Sequence, residues 1–224
     1  MNCGNQEDRD RAKELFLRAK TYSDFLKLWS KFYINEICIP TYFSNFIGGE
    51  DNPEASKEIG DKFREIVSYG VIPTDFQTNN IKKCQKGYVV LFATEPVADA
   101  ITAYINRYPG FVSFYQNVEG DNCIENLFVT YDPSKDDIKK TLKTGVFFGD
   151  PFTHLGYKPE DINFIQEWLS ESLKPIISNE NFKHVNIIDT LPSEKSDRIL
   201  TLLLNSLRDN RNLAKIEFDK LNEI

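Results

Sequence analysis

The sequence predicts an α+β fold, and three features predict it. Large apolar side chains recur at three- and four-residue spacing in several segments, short β-branched and aromatic runs stand between those segments, and Pro and Gly punctuate both. The first pattern puts side chains on one face of a helix, the second fills a buried strand. A chain of 224 residues is long enough for one sizeable core.

The N-terminal third reads as helical. Tyr22, Phe25, Leu26, Trp29, Phe32 and Tyr33 form one aromatic face, with Thr21 or Ser23 as the cap. A Pro/Gly-rich connection runs from Pro40 through Gly48-Gly49 to Asn52. Asn52 then suits a cap, Pro53 a first turn and Glu54 the positive end of a second helix, which buries Ile59, Phe63, Ile66 and Val67 and stops at Gly70. The residues from Thr74 to Thr78 read as a turn that leaves this helix, with Pro73 stiffening it.

From Gly87 the pattern changes. Gly87 to Ala93 reads as a buried strand, and Glu95-Pro96 opens a helix with Val97, Ala100, Ile101, Tyr104, Ile105 and Tyr108 on one face, closed by Pro109-Gly110. Phe111 to Val118 and Ile124 to Tyr131 read as two strands of a hairpin around Glu119-Gly120-Asp121-Asn122. Ser134 caps a short helix with Asp136 and Asp137 early and Lys139, Lys140 and Lys143 late. A helix from about Pro159 to Lys174 turns Ile162, Ile165, Trp168, Leu169 and Leu173 inward, and a strand follows from His184 to Ile188. The tail packs a helix through Ile199, Leu200, Leu203, Leu204 and Leu207, while residues 211 to 224 fit neither period.

If the strand at His184 returns to the sheet, residues 86 to 190 spell the split βαβ order of a ferredoxin-like sheet, with an insertion in its second crossover. The expected organisation is a helical layer over residues 1–80 packed on an α+β sheet domain over 81–224, ending in a C-terminal helix.

A net charge of -7 disfavours a chain whose main task is to hold a nucleic-acid backbone. The start lacks the apolar core of a secretory signal, and no stretch has the roughly 18 uninterrupted apolar residues of a spanning helix. The expectation is therefore a cytoplasmic or nuclear protein with no membrane partner. Cys3, Cys38, Cys84 and Cys123 form no C-x-x-C pair, so they read as reduced thiols, with no metal site and no cofactor expected. The phosphate-loop, dinucleotide-fingerprint, zincin and nucleophile-elbow patterns are all missing.

Two loops and one strand remain as candidates. Asp150, Thr153 and His154 gather an acid, a hydroxyl and one of only 2 histidines among turn formers, which suits a general base acting on a small polar substrate. The bland account is a turn fixed by Asp150 and Thr153 with His154 at the surface. Asp75, Gln77 and Thr78, with Lys82 and Lys83 nearby, suit presentation to a ligand or partner, against a plain helix-to-strand connection with Phe76 plugged into the core. Phe128-Val129-Thr130-Tyr131 is similar to the third-strand signature of RNA-recognition motifs, but Glu125 and Asn126 replace the basic residue and glycine. His184 reads as a sheet residue rather than a ligand.

The stretch Gly70-Val71-Ile72-Pro73-Thr74-Asp75-Phe76-Gln77, followed by Gln85-Lys86-Gly87-Tyr88-Val89, resembles a motif of an uncharacterised protein family of giant DNA viruses and some actinobacteria. That family combines an aromatic-rich helix, a helix ending in Gly, a Thr-x-Ser-Gln-like turn and a strand. Pro73, Phe76 and Thr78 stand where Thr, Ser and Pro are commoner, and without a Ser at position 76 the argument for a shared catalytic hydroxyl weakens. The resemblance spans residues 20–105 and implies a shared fold rather than a shared activity. The function expected is that of a non-catalytic, viral, host-modulating protein-interaction protein. An enzyme working through Asp150 and His154 and a single-stranded RNA binder are the alternatives. Sequence leaves the oligomeric state open.

Overall fold

The computed structural model describes residues 6–39, 53–77, 87–116, 127–128, 154–155, 162–189 and 198–223. Among them are six α-helices and a four-stranded antiparallel sheet, so the α+β class holds. The helices are α1 (Gln6–Arg18), α2 (Tyr22–Phe32), α3 (Pro53–Ser68), α4 (Glu95–Ile105), α5 (Arg198–Asp209) and α6 (Arg211–Glu223). The strands are β1 (Ile72–Gln77), β2 (Gly87–Ala93), β3 (Phe111–Gln116), β4 (Leu127–Phe128), β5 (His154–Leu155) and β6 (Lys183–Asp189).

The sheet runs β1-β2-β6-β3 with every neighbouring pair antiparallel. Consequently β2 and β3, joined by α4, are parallel to one another with β6 between them. The predicted return of the His184 strand to the sheet is found here. Two elements differ from expectation. The segment read as a turn is strand β1, which puts a sheet strand within residues 1–80. Pro73 suggested a turn, yet β1 lies at the sheet edge, where a missing N–H is tolerated, and a bulge between Pro73 and Asp75 absorbs the irregularity. The second difference is pairing: among the described residues β3 pairs with β6 and β4 with β5, not with each other, while the rest of the hairpin expected between 111–118 and 124–131 lies outside the described residues. The short helix expected after Ser134 lies outside the described residues.

Antiparallel partners share a face. Val89, Leu91, Val185 and Ile187 therefore look toward the helices, and all four belong to the hydrophobic core. The opposite face carries Ile72, Asp75, Tyr88, Val90, Phe92, His184, Asn186 and Ile188, by the same register. All eight are buried, but Tyr88, Val90 and Ile188 stand outside the core cluster.

Helix α2 hooks onto the chain that enters β1. Its expected aromatic face is buried in full, Thr21 accepts from the Asp24 N–H as cap, and the polar tips of three aromatics reach backbone carbonyls. Tyr22 donates to Gly70 O at 2.9 Å, while Trp29 and Tyr33 both donate to Pro73 O, at 3.0 and 2.8 Å. Buried Tyr and Trp require such partners. Helix α3 stops as expected at Gly70, whose φ is +78°.

Helix α4 faces inward through Val97, Ala98, Ile101 and Ile105, whereas Tyr104 is half-buried and Tyr108 exposed. The expected helix from Pro159 to Lys174 is instead a 3-10 turn over Ile162–Trp168. With three residues per turn, Ile162, Ile165 and Trp168 align on one side, and all three are buried as anticipated. Within residues 211–224, which fit no period, Arg211–Glu223 form α6. Its apolar stripe is interrupted by a buried Glu217 and an exposed Ile216, which blurs the pattern. Cys38 is fully buried and disulfide-bonded, so the reading of four reduced thiols is corrected. The other three cysteines lie outside the described residues. No described helix is long and apolar enough to cross a membrane.

Candidate functional site

Asp75 is buried at 4% exposure, in β1 rather than in a surface turn. One carboxylate oxygen accepts from the Phe76 N–H at 2.7 Å and the other from the Tyr88 hydroxyl at 3.0 Å. The carboxylate thus ties the edge strand to β2 and is not offered to a partner. Gln77 closes β1 opposite Tyr88, and Thr78, Lys82 and Lys83 lie outside the described residues. His154 sits in β5 with its backbone paired to Phe128, while Asp150 and Thr153 lie outside the described residues. Of the predicted site residues, only Asp75, Gln77 and His154 are therefore placed by the described part of the structure.

His184 is a sheet residue, as read. Its ring lies 5.1 Å from that of Phe92, is 1% exposed, and burial pushes its pKa down to about 4. A ring so poised stays neutral at physiological pH. Further along the same face, the buried Asn186 Oδ1 finds no hydrogen-bond partner among the described residues. Among the described residues, no three His, Cys, Asp or Glu side chains group so as to hold a metal ion.

A concave surface among the described residues lies elsewhere, where α3 ends beside α6. A cleft of about 520 Å³ is lined by Ser68, Tyr69, Arg211, Asn212, Lys215 and Phe218, with Ala214 beneath and Asp219 at one end. A smaller hollow of about 180 Å³ lies on the other side of Phe218, between α2 and α3, and carries Lys27 and Arg64. Sequence explains the placement. Gly70 turns the chain sharply, and its missing side chain lets Phe218 approach; an added Cβ would meet the Phe218 ring and Cβ at 3.3 Å. Phe218 also packs on Tyr22, with ring centres 5.9 Å apart, so α6 is anchored by one aromatic.

The electrostatics of this corner differ from those of the whole chain. Arg211, Asn212 and Lys215 are exposed, and among the described residues neither cation forms an ion pair. No acid occupies the first turn of α6, so the positive end of the helix dipole is not neutralised there. Arg208, on the rim, is held by both oxygens of Glu65 at 2.7 and 2.8 Å, which keeps its guanidinium charged. In the smaller hollow, Lys27 and Arg64 have Asp24 and Asp61 each at 3.5 Å. The larger cleft thus combines hydroxyl, amide and cationic donors over an apolar floor. The sequence signal that could have found it was Arg211 and Lys215 four apart, but it lay in the one tail segment that showed no clear period.

No protein-family model matches the chain, and no curated protein matches it.

Proposed function

We propose that this is a non-catalytic protein-interaction protein that docks its partner on the cleft between the end of α3 and α6. The observation that carries the reading is the pair of unpaired cations, Arg211 and Lys215, standing over the apolar floor of Ala214 and Phe218. An apolar centre with charge at its rim is what partner surfaces are built from. Asp75, by contrast, is consumed by the fold. The resemblance around Gly70 to Gln77 supports a viral, host-modulating setting and brings no activity with it.

The reading of the sheet as ferredoxin-like is supported by β2 and β3 running parallel around β6 with α4 between them. The outer strand beside β2 is β1, which comes before it in the chain rather than at the end. The alternative of an enzyme working through Asp150, Thr153 and His154 rests on sequence alone.

The test is photo-crosslinking of the full chain in lysate of its native cell, with a crosslinker at Asn212 and, separately, at Tyr108. A specific protein captured at Asn212, and lost when Arg211→Glu and Lys215→Glu are combined, is the expected result. If neither position captures any protein above background, the interaction reading falls.

A further inference from the structure

We infer, building on the interaction reading, that the occupant of this cleft is an extended acidic segment of the partner with the spacing acid-x-acid-x-apolar. Arg211 and Lys215 are one helical turn apart on α6, so their Cα atoms are separated by about 6 Å along the helix axis. An extended chain places residues i and i+2 on one side about 6.6 to 6.8 Å apart. Two acids separated by one residue therefore match the two cations without either chain bending. Phe218 lies roughly one turn beyond Lys215, about 4.5 Å further along the axis, so the next same-side residue of the segment meets the apolar floor. Asp219 follows directly and repels a third acid at that point, which makes an apolar residue the fitting one.

Charge supports the same occupant. The chain carries a net -7, so an acidic segment is repelled over most of the surface and drawn to its locally positive corner. Tyr69 and Asn212 add donors on the two walls, able to bond the backbone carbonyls of an extended segment.

The experiment is a backbone-amide NMR titration of the labelled full chain with a synthetic peptide containing Glu-Ser-Glu-Ser-Leu in neutral flanks. The control has the same composition reordered as Glu-Glu-Ser-Ser-Leu. Saturable shifts should concentrate on Arg211 to Asp219, the ordered peptide should bind more tightly than the control, and binding should weaken about tenfold in the R211E/K215E double variant. Both substitutions are on exposed side chains, so the variant's own amide spectrum reports that it is folded. Shifts confined to other surfaces, equal binding of the two peptides, or equal binding by the double variant would overturn the inference. So would an RNA oligonucleotide or inorganic phosphate that shifts the same amides at least as strongly, or self-association of the chain through this face in sedimentation equilibrium. If the inference fails while a partner still crosslinks, the interaction reading stands and the acidic-segment assignment alone is lost.

Discussion

Asn106 does at the β3 edge what a neighbouring strand would do. Its amide donates to Ser113 O at 2.9 Å and accepts from the Ser113 N–H at 2.8 Å, so both backbone groups of one edge residue are satisfied by a single side chain. Asn106→Ala removes both bonds at a partly buried position and should cost about 1 to 3 kcal/mol in urea unfolding. A loss below the error of the measurement would mean that water replaces the bonds freely. Gly70 is the second residue at which one atom matters. Gly70→Ala combines a φ of +78° with a Cβ 3.3 Å from Phe218, and a loss of about 1 to 2 kcal/mol is expected. Unchanged stability would show that the turn relaxes. His184 makes stability depend on pH with a definite sign. Its folded pKa, about 4, lies below the ordinary 6.5, so between those values the unfolded chain takes up a proton that the folded chain refuses. Stability from this residue is therefore complete above about pH 6.5 and is lost as the pH falls through 4, by about 3 kcal/mol in all. Denaturant midpoints measured across that range should fall more steeply for the native chain than for His184→Leu, and parallel curves would refute the assignment.

At the scale of elements, legibility followed how much of each periodic signal came from burial on one side. Helix α2 was readable because all six large residues of its face are buried, and β2 because all seven of its residues are. Helix α5 was readable for the same reason, since Ile199, Leu200, Leu203, Leu204 and Leu207 are each at most 2% exposed. Truncating one of them, Leu203→Ala, should cost about 2 to 5 kcal/mol of unfolding free energy, and a smaller loss would mean that the helix is less tightly seated than its burial implies. Helix α1 leaves little signal in the sequence because only Ala12 and Phe16 are buried along it. Strand β1 is hidden because Pro73 is a turn signal in isolation, and it is the sheet that makes this strand an edge. Register is equally hidden: local turn chemistry around Glu119 to Asn122 suggests a hairpin, but the described part of β3 pairs with β6, more than 60 residues further on, whose paired residues are all buried. The cleft beside Phe218 was hidden because it is assembled from the end of α3 and the start of α6, far apart in sequence.

The whole molecule is closed by contacts that run between distant parts of the chain. Tyr22, Trp29 and Tyr33 fasten α2 to residues 70–73, Arg208 pairs with Glu65, and the Ser23 N–H donates to Asn222 Oδ1 at 2.9 Å. To these noncovalent ties the structure adds a covalent one at Cys38, just beyond α2 and fully buried. A crosslink restricts the unfolded chain more than the folded one, so its loss is felt across the cooperative unit and not at one site. Because one disulfide consumes two of the chain's 4 cysteines, no more than two thiols should react when the protein is denatured without reductant, against all four after reduction. Reduction should also lower the unfolding free energy by about 2 to 4 kcal/mol, in keeping with bridges in other domains. The two readouts are independent: thiol titration reports the bond, and denaturant unfolding with and without reductant reports its effect on the fold. Four reactive thiols in the unreduced, denatured chain would remove the crosslink.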